Sequence, residues 1–161
     1  MSSPILIAED LSRDAVLVKR VLETARIRNP IQIVGNGEET ISYLSGSGKY
    51  RNRLQYPLPA ILLLDLKMPG VTGFDVLRWL QTHPLPIAAV VLSALSDLKD
   101  IRQAYALGAN SFLIKPLTLE EITNLMSGLK GLVMKPDADG FLLEYEAPAS
   151  FTRAETKSFL S

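Results

Sequence analysis

The chain has 161 residues, 47% of them hydrophobic and 21% charged, which suits one globular domain with a real core and leaves too little for a second of ordinary size. Seventeen basic and seventeen acidic side chains cancel, so no overall field draws the protein toward nucleic acid or an anionic membrane. The absence of cysteine excludes disulfides, thiolate catalysis and cysteine-based metal sites, and it fits a reducing compartment such as the cytoplasm.

The first apolar run, Ile5-Leu6-Ile7-Ala8, has no basic region before it and stops at Glu9-Asp10, so it does not read as a signal peptide. Val18, Val21, Leu22 and Ala25 then form a stripe at i, i+3, i+4, i+7, the spacing of a helix with one apolar face. A second run, Ile31 to Val34, follows. The connection Ser45 to Pro59 interleaves Lys49, Arg51 and Arg53 with Tyr50 and Tyr56. With balanced net charge it reads as a solvated loop rather than an RNA-binding or partner-binding segment. Its Gly46-Ser47-Gly48-Lys49 is only a fragment of a phosphate-binding loop, because Tyr43 stands where the first glycine would fall and Tyr50 replaces the serine or threonine.

The third run, Ala60 to Leu64, ends at Asp65. Phe74, Leu77, Trp79 and Leu80 share the next helix, where the tryptophan reads as packing. His83, the single histidine, precedes Pro84 at that helix's end and reads as solvent-facing rather than metal-binding. The fourth run, Ile87 to Leu92, is followed by Ser93, with Ser96 able to cap the fourth helix and Gly108 able to end it. The longest mostly apolar stretch, Leu85 to Leu95, falls well below the ~18 residues of a membrane span. The fifth run, Ser111 to Ile114, ends in Lys115-Pro116. Thr118 with Glu121 predicts a capping box, and Ile122, Leu125, Met126 and Leu129 form the last helical stripe. The tail holds Phe141-Leu142-Leu143-Glu144-Tyr145, Pro148 and a short helix signal opened by Thr152 with Glu155. It is too short for a separate DNA-binding domain.

Five runs that are apolar almost throughout, separated by helical patterns, predict parallel strands covered on both faces. The fold class is therefore α/β, a doubly wound parallel (βα)5 sheet of flavodoxin-like order 2-1-3-4-5, which is the common five-stranded solution. In such a sheet the site forms beyond the carboxyl ends of the first and third strands, where the order reverses. Asp10 and Asp65 then face each other there.

Clustered carboxylates repel until a hard cation takes their oxygens as ligands, which makes Asp10 and Asp65 candidate Mg²⁺ ligands. The backbone carbonyl of Lys67 supplies a third contact, and the longer Glu9 is expected to act through a metal-bound water. A carboxylate so placed can attack phosphorus and form an acyl phosphate, with Asp65 as the nucleophile. Lys115 offers a compact positive charge to the transferring phosphoryl group, aimed by the proline after it, and the Ser93 hydroxyl lies at the same edge.

This set resembles the receiver domain of two-component response regulators over about residues 4 to 133. The residues that carry the resemblance are Glu9-Asp10, the turn Asp65-Leu66-Lys67-Met68-Pro69-Gly70 followed by Gly73, Ser93-Ala94, Gly108-Ala109 and Lys115-Pro116. The resemblance implies a bacterial-type phosphorelay protein in which Asp65 accepts phosphate from a sensor histidine kinase or phosphotransfer protein. Asp10, Asp65 and the Lys67 carbonyl would hold Mg²⁺ with Glu9 assisting. Ser93 would be the switch hydroxyl and Phe112 the switch aromatic. Phe112 has no hydroxyl, so an output that needs a tyrosine hydrogen bond is not implied. The long connection before the third strand is similar to that of single-domain receivers paired with phytochrome-type kinases, which implies a homodimer through the fourth helix, fifth strand and fifth helix. Residues 134 to 161 would then be an extension without a separate output domain, and the downstream target is an unidentified protein.

Two other classes compete. An aspartyl-nucleophile phosphatase of the haloacid dehalogenase type has a second aspartate two residues after the nucleophile, where this chain has Lys67. A receiver-like protein acting only by contact does not need the complete set of acids, hydroxyl and lysine.

Overall fold

A computed structural model describes residues 2–94 and 98–148. Five strands form one parallel sheet: β1 (Ile5–Ala8), β2 (Ile31–Val34), β3 (Ile61–Leu64), β4 (Ala88–Ser93) and β5 (Ser111–Ile114). Their spatial order is β2-β1-β3-β4-β5, as the alternation of strands and helices predicts. Strand boundaries shift by one residue at Ala60 and Ile87, and Ser93 closes β4 rather than following it.

Between the strands run α1 (Ser12–Thr24), α2 (Gly37–Ser45), α3 (Gly73–Thr82) and α4 (Leu98–Ala106), and α5 (Leu119–Gly128) follows β5. Strand side chains alternate between the two faces, and because both faces are covered both sets are apolar. Ile5, Ile7, Ile61 and Leu63 pack with Val18 and Leu22 of α1 and Ile122, Leu125 and Met126 of α5. Leu6, Ala8, Leu62 and Leu64 pack on the other side with Tyr43 and Leu44 of α2, Val76 and Leu77 of α3 and Ala104 of α4.

The helix ends follow local chemistry. Asn36 caps α2 by accepting the Glu39 N–H at 2.7 Å, and Gly46, at φ 71°, closes it in the left-handed conformation that glycine tolerates. Thr118 accepts the Glu121 N–H at 3.1 Å, but its hydroxyl donates to the Glu121 carboxylate, so the expected box at α5 is completed between side chains. The reciprocal box is instead at α3, between Thr72 and Asp75. Gly108, at φ 96°, follows the last turn of α4, and the cap expected at Ser96 lies outside the described residues.

Two regions differ from the sequence reading. The connection 45–59 is not simply solvated. Tyr50 is buried and packs edge-on against Tyr56 and beside Tyr43. Arg53 turns inward and donates to the carbonyls of Tyr43, Leu44 and Tyr56. Burial, with the neighbouring tyrosines adding and Arg53 opposing, pushes the Tyr43 phenol up to about 12. The second region is the tail, which forms an antiparallel hairpin of β6 (Leu132–Asp137) and β7 (Gly140–Tyr145), so residue 133 lies inside a strand. Phe141 bridges to Ile27, and Leu143 enters the core at 1% exposure. Asn29 holds both backbone groups of Leu143, accepting its N–H at 2.8 Å and donating to its carbonyl at 2.9 Å. The hairpin thus covers the amino ends of the strands.

Candidate functional site

The strand register assembles the site. β1 pairs with β3 so that Ala8 lies opposite Leu64, which sets Glu9 and Asp65 side by side at the carboxyl edge. β4 pairs with β5 so that Ser93 lies opposite Ile114, one residue before Lys115. The loop after β3 is fixed by close approach: a Cβ on Gly73 would lie 2.3 Å from the Asp65 carbonyl oxygen and 2.7 Å from the Leu66 Cα. Only glycine lets the start of α3 sit there. The Asp65 Oδ1 accepts the Lys67 N–H at 3.1 Å, which ties the carboxylate to its own turn.

Glu9, Asp10 and Asp65 can bring one carboxylate oxygen each within 4.8 Å of the others. Glu9 and Asp65 are buried and Asp10 is exposed, so the cluster opens toward solvent on one side. Lys115 reaches in from the end of β5, with its Nζ at 2.9 Å from Glu9 Oε2 and 3.4 Å from Asp65 Oδ2. It also lies 3.3 Å from Asp14 Oδ2 in the first turn of α1. Ser93 is buried at the end of β4, and Phe112 on β5 is half-buried against the α2–α3–α4 side of the core. The Lys115–Pro116 peptide is cis.

Charge is under-compensated here. Burial pushes the Glu9 carboxyl up to about 7, the adjacent Asp65 adds to the shift, and Lys115 opposes it. Burial pulls the Lys115 ammonium down, but the hydrogen bond to Glu9 and the charges of Asp65 and Glu9 outweigh it and hold its pKa above the ordinary value. Glu9 Oε1 is buried without a hydrogen-bond partner among the described residues. An orphaned acceptor is costly in the interior, and a cluster of oxygen donors with one oxygen unpaired is the donor set that a hard divalent cation takes.

The structure therefore brings Glu9, Asp10, Asp65 and Lys115 together, with Ser93 and Lys67 at the same edge. Sequence reading missed Asp14. It lies four residues after Asp10, but a lone acid in a first helical turn also serves the helix dipole, and nothing local tells the two roles apart. His83 is exposed and stacks on Trp79 with ring centroids 4.5 Å apart, away from the acid cluster.

A parallel sheet of this order with acids and a lysine at its switch point defines a phosphoacceptor-type α/β domain. The sequence profile of the response regulator receiver domain matches residues 5–127, and the chain belongs to that family. It is 31% identical over 128 residues to the response regulator Rcp1 of Synechocystis sp., an alignment covering 78% of this chain and 85% of that protein. Among solved structures it is similar to the bacteriophytochrome response regulator AtBRR, with TM-score 0.75, 32% identity, and coverage of 86% of this chain and 99% of the other. It is also similar to the Mn²⁺-bound form of Rcp1, with TM-score 0.69, 29% identity, and coverage of 83% and 99%. Receiver domains are signalling domains rather than metabolic enzymes. They take a phosphoryl group on an aspartate with Mg²⁺, bind Mg²⁺ or Mn²⁺ at an acidic site, and interact with histidine kinases or phosphotransfer proteins. Among the described residues no helix is long and apolar enough to cross a membrane.

Proposed function

We propose that Asp65 is the phosphoacceptor of this receiver. The observation that carries the reading is the Lys115 ammonium held on Asp65 within a three-acid cluster at the switch point, buried at Glu9 and Asp65 and open to solvent at Asp10. An Asp65 carboxylate oxygen forms the new bond to phosphorus while the bond from phosphorus to the donor's imidazole nitrogen breaks, and that nitrogen recovers a proton. Glu9, Asp10, Asp65 and the Lys67 carbonyl are the residues that would hold Mg²⁺, which when bound neutralises charge on the transferring group. Lys115 pairs with a phosphoryl oxygen in place of its present carboxylate partners. Ser93 and Phe112 are the switch pair, the hydroxyl drawn toward the phosphate and the ring following.

The phosphodonor partner, a sensor histidine kinase or phosphotransfer protein, seats on α1. Leu17 of α1 is half-exposed in a cleft of about 420 Å³ that continues to Ala94, Lys115 and Pro116, and Leu11 and Val16 are exposed nearby. Output goes to a downstream protein through the α4–β5–α5 face, which is also the surface for a homodimer. Exposed Leu98, Tyr105 and Leu119 supply its apolar contacts. After α5 the β6–β7 hairpin extends the receiver. Converting a 1:99 mixture of inactive and active forms to 99:1 takes about 5.5 kcal/mol, so phosphate alone shifts the balance only in part and partner binding completes it.

The test is intact mass after incubation with Mg²⁺ and a small acyl phosphate. One added phosphate in the wild type and none in Asp65→Asn is expected. Equal incorporation in both would refute the assignment. Multiple turnover of a phosphate monoester would instead favour a phosphatase.

A further inference from the structure

The Lys115 ammonium has three protons and no acceptor capacity, and each proton has a carboxylate within reach: Glu9 Oε2 at 2.9 Å, Asp14 Oδ2 at 3.3 Å and Asp65 Oδ2 at 3.4 Å. Two of these partners belong to the cluster in which Glu9, Asp10 and Asp65 bring oxygens within 4.8 Å of one another. Asp14 stands outside it. When a cation and a phosphoryl group claim Glu9 and Asp65, Asp14 is the carboxylate left to the lysine.

Asp14 is aimed at this contact rather than at its own helix. It is the third residue of α1, a position from which an acid ordinarily reaches back to the residue that caps the helix. Asp75 holds the same position in α3 and does so, accepting the N–H and the hydroxyl of Thr72. In α1 the capping position is Leu11, which makes no side-chain bond, and among the described residues the Asp14 carboxylate bonds to Lys115 alone. The backbone on both sides is fixed. Ala15, next in α1, is buried at 1% exposure, and the Lys115 N–H donates to the Ser93 carbonyl at 2.8 Å. What remains free is the flexible four-carbon stem of the lysine, and Asp14 holds its far end.

We propose that Asp14 is a positioning residue for phosphoryl transfer: it keeps one proton of the Lys115 ammonium and so holds the other two over the Asp65 carboxylate as the phosphoryl group arrives. The proposal rests on Asp65 as the phosphoacceptor. It gives α1 a part in the chemistry besides its apolar surface.

The test is a double-substitution cycle, read as the rate at which a small acyl phosphate labels the protein at saturating donor and Mg²⁺. Asp14→Ala is expected to lower the rate about ten-fold, and Asp14→Asn, which keeps an acceptor oxygen in place, to recover most of the loss. In a Lys115→Ala background Asp14→Ala is expected to cost nothing further, because the group it positions is gone. Asp14 is partly exposed, and matching melting curves confirm that the variants fold. Equal rates in wild type and Asp14→Ala overturn the proposal. The same loss repeated in the Lys115→Ala background also overturns it, because Asp14 would then act on the fold, and so does a loss that excess Mg²⁺ restores, because Asp14 would then be a metal ligand. A wild type that takes up no phosphate, or Asp65→Asn labelled equally, removes the phosphoacceptor reading and this proposal with it. Labelling at Asp65 with additive losses removes the positioning role alone.

Discussion

The two ends of the parallel sheet handle buried polarity in opposite ways. At the amino end the asparagines brought inside find partners: Asn29 satisfies Leu143 on both sides and also donates to the Ser3 carbonyl, and Asn110 accepts the Ala89 N–H at 2.8 Å. At the carboxyl end the carboxylates of Glu9, Asp14 and Asp65 share the Lys115 ammonium, and Glu9 Oε1 has no partner among the described residues. The first arrangement stabilises the native state. The second leaves unmet electrostatic demand that a cation and a phosphoryl group can answer, and local stability is given up where function needs it.

This contrast predicts that substitutions at the two ends separate stability from phosphorylation. The largest effect is expected for Leu143→Ala, which empties a fully buried position. It should cost about 2–4 kcal/mol in urea denaturation while phosphate incorporation by the folded fraction is unchanged. Loss of incorporation without loss of stability would break the comparison. At the carboxyl end the sign reverses. Asp10→Asn removes one of the clustered charges from a half-solvated site and should stabilise the metal-free protein by about 1 kcal/mol or less, while the rise in melting temperature on adding Mg²⁺ shrinks. An equal Mg²⁺ response in variant and wild type would remove Asp10 from the ligand set.

The smallest effect concerns a satisfied acid away from the site. Burial raises the pKa of Glu39, but the hydroxyl of Tyr50, the Gly35 N–H at 3.1 Å and Lys49 at 3.3 Å together hold it below its ordinary value of 4.5. Its contribution is therefore complete above 4.5 and is lost as the pH falls below that value toward the lower native pKa. The stability difference between wild type and Glu39→Gln should narrow over that acid range. A difference independent of pH would mean that the ionised carboxylate is not what the contacts favour.

The carboxyl end was largely legible in the sequence, and the amino end was not. Strand ends declared themselves because Ala8, Leu64 and Ile114 each give way abruptly to charge, and parallel strands buried on both faces tolerate no charge before their last residue. The strand order came from a general preference of alternating α/β chains rather than from any residue. Asp14 was hidden because its partner, Lys115, is distant in the chain. The hairpin was hidden because Pro136 sits inside β6 and Lys135 and Glu144 pair on its open face, which blurs the strand pattern. The Tyr43–Tyr50–Tyr56 cluster was misread from composition, since a basic and aromatic loop looks solvated until Arg53 is seen to serve backbone carbonyls.

The central claim, that Asp65 itself carries the phosphoryl group, is tested most directly by reductive trapping. The protein is phosphorylated with an acyl phosphate and Mg²⁺, treated with borohydride, digested, and the peptide spanning β3 is sequenced by mass. An acyl phosphate is reduced to the alcohol, so homoserine in place of Asp65 is the predicted product. Homoserine at Asp10 or Asp14, or an unmodified Asp65 in protein shown to carry phosphate, would contradict the account.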